Sequence, residues 1–416
     1  MSDQQYDVIV VGAGIAGSLL SRNLSPHVRT LLLDRSLSFP GSTGHAPGFV
    51  GELNTIPTLT QLARRSIALY RSIPGGFNSV GGLEVLQGPN WPGKTAADTA
   101  QTLMDREKLA REQGVEAEVL LPKEAARQCP ALVRPDNGGG IKFPNDGTAN
   151  ARRISLWGRE QAQSEGAKIV EAEVSSIDGS GDDWTVKTSN GTFKAKRVVL
   201  ATGIWASQLA PETQVTALPV AHPYAYTKVR AEREQTGPFV RFPGPHVYAR
   251  DHGDRDGVGS YAHDPIHVLH TSKLASAYGA WDPNFNRVLN RALSILPKDT
   301  ADAFDPIKPL PESYHGDVPK GAYAFNGLFT VTPDGLPLFG QSKTGLWLAV
   351  GAWVTNAGGA CDVLAKEIRA SLGQKVEQES ELAKEMDPRR FEGRDPEEVS
   401  KQALATYNDI YNKAKA

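Results

Sequence analysis

A mixed α/β fold, in which a parallel-sheet domain is interrupted by an inserted antiparallel sheet, is predicted by three features of the sequence. An unbroken apolar run, Asp7-Val8-Ile9-Val10-Val11, leads straight into the glycine turn Gly12-Ala13-Gly14-Ile15-Ala16-Gly17. Two further apolar runs, residues 196–203 and 346–351, recur far downstream and also end in small residues. Between them lie alternating segments such as Val247-Tyr248-Ala249-Arg250 and Val258-Gly259-Ser260-Tyr261, separated by a polar turn, which read as an antiparallel hairpin.

The first run suits a strand buried on both faces, and the residues after the glycines suit a helix through Leu20. In this strand-turn-helix unit Gly12 makes the tight turn and Gly14 lets backbone approach a pyrophosphate. Gly17 lets helix and strand pack closely, and phosphates sit at the helix N-terminus. Thr30-Leu31-Leu32-Leu33 reads as the second strand. It ends in Asp34, whose carboxylate can accept both ribose hydroxyls and would repel a 2′-phosphate. Together these features make a dinucleotide site.

The run 196–203 reads as a strand whose small-residue end, with Ala201 and Gly203, can pass beside the same pyrophosphate. The run 346–351 is another such strand, and Asn356-Ala357-Gly358-Gly359 is read as opening a helix through Ile368. Free N–H groups and the positive dipole end at Gly358 would stabilise negative charge on a reduced flavin ring. Nucleotide-facing segments spread from one end of the chain to the other point to FAD, since a nicotinamide enzyme would keep its contacts in one block. The expected architecture is an FAD-binding Rossmann-like domain with an inserted antiparallel-sheet substrate domain. The first comprises residues 1–84, 146–214 and 328–416, and the second 85–145 and 215–327.

The 416 residues carry 45 Lys and Arg against 47 Asp and Glu, a formal charge of −2. Nothing global draws such a chain to nucleic acid or an anionic membrane, so a small neutral or zwitterionic partner is expected. Cys129 and Cys361 are far apart and in no ligand spacing, so no disulfide framework, no metal site and a reducing compartment are expected. The N-terminus lacks a basic leader, and Ala414-Lys415-Ala416 is not the peroxisomal tripeptide. Cytoplasmic localisation follows by elimination, with mitochondrial and peroxisomal addresses left open.

Gly41-Ser42-Thr43-Gly44-His45-Ala46-Pro47-Gly48 is crowded with small residues, with His45 its only bulky polar side chain. Here the sequence resembles the dimethylglycine oxidase/dehydrogenase and sarcosine dehydrogenase family. The resemblance continues at residues 80–85, 217–224, 248–255, 325–329, 332–340 and 352–355, and so covers nearly the whole chain. It implies FAD attached covalently through His45, with Ser42 and Thr43 in the surrounding motif. It places His222 and Tyr248 at the family's active-site histidine and tyrosine. It also implies oxidation of a secondary or tertiary N-methyl amine by hydride transfer to flavin N5. The iminium would hydrolyse to formaldehyde and the demethylated amine, with O2 (giving H2O2) or an electron-transfer partner as acceptor. His222 would tune or accept the amine proton and Tyr248 would position substrate, because the amine reacts only when neutral.

Two departures stand out. The family's large folate-binding region is absent from the chain, and Gly44 replaces a commonly larger residue. A nicotinamide-linked dehydrogenase and a non-catalytic regulatory relative are the alternatives, and the joint presence of His45, His222 and Tyr248 argues against the latter.

Other residues are read more plainly. Arg250 or Arg255 could clamp a substrate carboxylate, or both could lie on a solvated strand face. His252 and His263 show no metal-ligand pattern, and Trp353 is read as a core aromatic. Helices are expected over residues 95–113, 154–166 and 397–411, and a hairpin across Ser189-Asn190. A solvated tail is expected over residues 374–394.

Overall fold

The computed structural model describes residues 5–91 and 98–408. The first apolar run becomes strand Tyr6–Val11, and its lack of polar alternation has a simple cause. Val8 and Val10 point into one core layer with Leu32 and Val199. Ile9 and Val11 point into the opposite layer with Leu31, Leu33, Val198 and Leu200. This strand lies parallel to Gly191–Leu200 on one side and Thr30–Asp34 on the other. Lys168–Glu171 and Trp347–Val350 extend the parallel sheet. Val174–Ser180, Asp183–Thr188 and Leu338–Gln341 complete eight strands by antiparallel pairing, including the turn at Ser189-Asn190. Helices Ile15–Leu24, Pro57–Arg71, Ala151–Ser164 and Val354–Ser371 cover one face through Leu20, Leu62, Ile154 and Leu364.

The second sheet has ten strands, mostly antiparallel, drawn from residues 82–143 and 223–327. Register sorts its side chains into two cross-strand rows. Leu83, Val240, Ala249, Val258, Ala225 and Ala324 follow one another on the face packed against helix Asn284–Leu293. One residue along, Glu84, Arg241, Tyr248, Gly259, Tyr224 and Phe325 form the row on the other face. A one-residue slip in any strand would exchange the two rows, so the apolar row fixes the position of the polar one.

The helix expected over 95–113 spans Ala100–Glu112, capped where the Thr99 hydroxyl accepts from Thr102 N–H. Residues 95–97 lie outside the described residues. The helix expected over 154–166 starts at Ala151, because Asn150 caps it by accepting from Arg153 N–H. The last helix spans Pro396–Asn408, and residues 409–411 lie outside the described residues. The expectation of a solvated tail over 374–394 is corrected. Helix Ser380–Met386 buries Leu382 and Met386, four residues apart on one face, and Phe391 is buried beyond it.

Candidate active site

A cavity of about 600 Å3 runs between the two sheets, from Asp34 past Gly12, Gly14, Ser42, Thr43, His45, Ala201 and Gly203 to His222 and Tyr248. At its nucleotide end Gly12 takes φ +105°, and a Cβ there would stand 2.4 Å from the Ala201 carbonyl oxygen. Gly17 faces inward instead, where a Cβ would meet Gly12 O at 1.8 Å, in keeping with a helix-to-strand packing role. Gly203 takes φ +54°, a left-handed turn open to the cavity. The Asp34 carboxylate accepts from Ala13 N–H at 2.5 Å and Ser36 N–H at 2.9 Å. Burial raises its pKa, against the pull of these two N–H groups and of Arg159 and Arg35.

Arg159 was not legible as a site residue. From helix Ala151–Ser164 it donates to the carbonyls of Ala13 and Leu37 and lies over the Phe39 ring, clamping the glycine turn from below.

The loop carrying His45 is tied to both halves of the cavity. Ile15 N–H at the helix start donates to Thr43 Oγ1 at 3.0 Å, and Ser42 Oγ donates to Leu328 O at 2.7 Å. Gly44 has a local reason: a Cβ would lie 2.0 Å from Phe39 O. The half-buried His45 ring packs on Tyr278 and Phe325, and its Nδ1 is buried with no hydrogen-bond partner. Leaving such a nitrogen unpaired costs about 1–3 kcal/mol, a penalty suited to a reactive atom. Desolvation and the Arg152 guanidinium hold its pKa down to about 4, against a backbone hydrogen bond at Leu328, so the ring is neutral at neutral pH. Carboxylate, glycine cradle and an imidazole with an unpaired Nδ1 together fit an elongated flavin dinucleotide.

At the other end His222 Nε2 lies 2.6 Å from Tyr248 Oη, and both residues are buried. His222 Nδ1 lies 2.7 Å from Tyr407 Oη, delivered by the last helix. Burial, with the imidazoles of His263 and His45, holds His222 well below its ordinary pKa. Beside Tyr248 in the cross-strand row, Arg241 lines the cavity 3.8 Å from Glu84. Arg106 grips Glu84 with two hydrogen bonds, at 2.6 and 2.9 Å. Burial alone would raise Glu84, but Arg106 and then Arg241 hold its carboxyl below the ordinary value. In the lining of this end Arg106 and Arg241 face one carboxylate, Glu84, with Asp146 and Glu52 behind it, so an incoming anion can pair with Arg241.

Three sequence readings change. Gly358 does not face the cavity: its N–H donates to Tyr70 Oη at 3.1 Å, and a Cβ would meet Ser66 Cα at 3.0 Å. The helix begins at Val354 rather than Asn356, so its first turn, through Asn356, lines the cavity and the glycines admit the neighbouring helix. Arg250 donates to Pro47 O, and Arg255 to Asp254 and Pro319 O, so neither is placed to clamp substrate. Trp353 packs against the core, as read, but also lines the cavity, its indole N–H donating to Thr330 O. His263 contacts Tyr407 at 2.6 Å and so joins the His222 cluster.

The family model described as "DAO: FAD dependent oxidoreductase" matches residues 7–367. The chain is 26% identical over 326 residues to 4-methylaminobutanoate oxidase (formaldehyde-forming) of Paenarthrobacter nicotinovorans, covering 74% of this chain and 38% of that protein. It is 25% identical to the mitochondrial dimethylglycine dehydrogenase of Rattus norvegicus, covering 85% of this chain and 42% of that one. The chain thus spans about two fifths of the length of both relatives. In fold it matches the crystal structure of L-proline dehydrogenase from P.horikoshii with a TM-score of 0.74 at 18% identity, covering 94% and 99% of the two chains.

Proposed function

Because the chain belongs to the FAD dependent oxidoreductase family, whose members oxidise amines and amino acids, we propose that it oxidises an N-methyl amine bearing a carboxylate. The observation that carries this reading is the placement of the Tyr248–His222 pair beside Arg241 at the far end of the cavity from Asp34. Residues 1–84, 146–214 and 328–416 hold the cofactor in this reading, while 85–145 and 215–327 shape the substrate end.

Asp34 would bind the ribose, the Gly12–Gly14 turn the pyrophosphate, and His45 would form the covalent bond to the cofactor. Arg241 takes the substrate carboxylate in a charge-assisted pair. Tyr248 orients the nitrogen, and the neutral His222 behind it draws off the ammonium proton so that the lone pair can assist C–H cleavage. Bound FAD would supply the acceptor for the hydrogen and its two electrons, with O2 as their destination in H2O2. The iminium left behind takes up water and parts into formaldehyde and the demethylated amine. Phe49, Phe329 and Trp353 wall this end of the cavity and limit water around the amine.

Acid precipitation of purified protein, followed by peptide mass analysis and anaerobic mixing with sarcosine, N,N-dimethylglycine and 4-methylaminobutanoate, tests the reading. A yellow pellet with flavin mass on the His45 peptide, bleaching by an N-methyl amine and stoichiometric formaldehyde are expected. Bleaching by primary amino acids alone would overturn the N-methyl assignment, and a colourless pellet would overturn the covalent bond.

A further inference from the structure

The contacts of His222 do not end at Tyr248. Tyr248 Oη, the two ring nitrogens of His222, Tyr407 Oη and the two ring nitrogens of His263 form one unbroken row of hydrogen bonds of 2.6, 2.7 and 2.6 Å. It ends where His263 Nδ1 meets the Asp264 carbonyl at 2.8 Å. Tyr248 and His222 line the cavity, Tyr407 is fully buried, and His263 is half-buried next to the exposed Asp264.

One carbonyl sets every proton in the row. Asp264 O can only accept, so Nδ1 of His263 carries the hydrogen and Nε2 of the neutral ring is an acceptor. Tyr407 therefore donates to His263, and its oxygen accepts from His222 Nδ1–H. His222 Nε2 is then left to accept from the Tyr248 hydroxyl. Tyr248 also hydrogen-bonds the Tyr261 hydroxyl; with its own proton committed to His222, its oxygen accepts from Tyr261 and from an ammonium.

We infer that Tyr407 and His263 are the outer half of a proton relay that carries the substrate ammonium proton from Tyr248 to solvent; this rests on the amine reading above. In one shift the ammonium N–H proton passes to Tyr248 oxygen and the Tyr248 hydroxyl proton to His222 Nε2. The Nδ1 proton of His222 passes to Tyr407 oxygen, and the Tyr407 hydroxyl proton to His263 Nε2. The amine becomes neutral, His263 becomes the imidazolium, and its extra proton leaves to water. No electron moves. The last helix, which supplies Tyr407, is held in register by Thr406 donating to Thr332 O and by Asn408 donating to the carbonyls of Tyr261 and His263.

The titratable groups facing the relay are Tyr261 and Arg241 beside Tyr248, with Glu84 behind Arg241. Burial lowers His263, opposed by its hydrogen bond to the Asp264 carbonyl and by the carboxylates of Asp282 and Asp264, while His263 and then His45 act on His222. Burial keeps His222 well below its ordinary pKa, so the ring stays neutral and hands one proton on as it takes up another.

Tyr407→Phe and His263→Gln in the flavin-loaded full chain test the relay, with sarcosine and N,N-dimethylglycine as probes. In both variants the anaerobic flavin-reduction rate should fall by about tenfold or more below the amine pKa and approach wild type above it, to within about twofold. A second readout needs no turnover. When dithionite-reduced holoenzyme is mixed with sarcosine and an indicator dye, wild type should release a proton on binding and both variants should release it more slowly. A purely structural role would lower the rate equally at every pH, and that result, or unchanged profiles in both variants, overturns the relay alone. If Tyr407→Phe fails to fold, His263→Gln at the half-exposed end decides the question. If neither amine reduces the wild-type flavin, the amine reading falls and the relay with it.

Discussion

Gly259 stands directly opposite Tyr248 across an antiparallel pair, and a Cβ at Gly259 would lie 2.4 Å from the Tyr248 hydroxyl oxygen. The absent side chain lets the Tyr248 ring lean across the strand to reach His222. Gly259→Ala should displace that hydroxyl and lower kcat by about tenfold or more, since small misplacements in a site are costly. Flavin content, read from the visible spectrum, should be unchanged because the cofactor segments lie elsewhere.

Arg241→Leu should raise KM for an N-methyl amino acid by roughly 10- to 100-fold, the loss of one charge-assisted pair. The same variant should discriminate less between that substrate and its amide. Arg250→Leu, which loosens the carbonyls of Pro47 and Asp251, should leave this ratio near the wild-type value. Steady-state kinetics on the two substrates separates the two arginines.

Gly44→Ala places a methyl where the Phe39 carbonyl stands. Overpacking of this kind costs about 1–3 kcal/mol, and the strain falls on the loop that presents His45. Lower covalent flavin yield and a reduced Tm are expected, measured by the 450 nm to 280 nm absorbance ratio and by calorimetry.

Asp146 is fully enclosed beside Gly82, and its carboxylate accepts from Glu52 N–H at 2.7 Å. Burial pushes its pKa from 3.8 up to about 7, with Glu84 and Glu52 adding to the rise and Arg241 opposing it. Between those values the folded protein keeps a proton that the unfolded chain has lost, so this residue makes stability fall as pH climbs through the window. Asp146→Asn retains the carbonyl acceptor and removes the titration. Its Tm should match wild type at acid pH and exceed it at pH 8, flattening the curve.

The nucleotide half of the site was legible because its signal is local. Strand, glycine turn, helix and Asp34 follow one another within about thirty residues, each with a spacing that only one backbone path satisfies. His45, His222 and Tyr248 were found through the motifs around them. Arg241, Arg106 and Glu84 were not, because sheet register and a separate helix bring them together, and no window of sequence displays it. Tyr407 and His263 are 144 positions apart, and the helix carrying Tyr407 looks like any amphipathic helix until its partner is known. Gly358 was misplaced for a smaller reason. The helix starts two residues earlier than its glycines suggest, which turns them from the cavity towards Ser66 and Tyr70.

The helix Pro396–Asn408 separates colour from turnover. Asp34, the glycine turn and His45 sit on other elements, whereas Tyr407 must dock against His222 and His263 before the row from Tyr248 outward is continuous. Loosening this one helix would leave a protein that keeps its yellow prosthetic group yet processes protonated amines slowly.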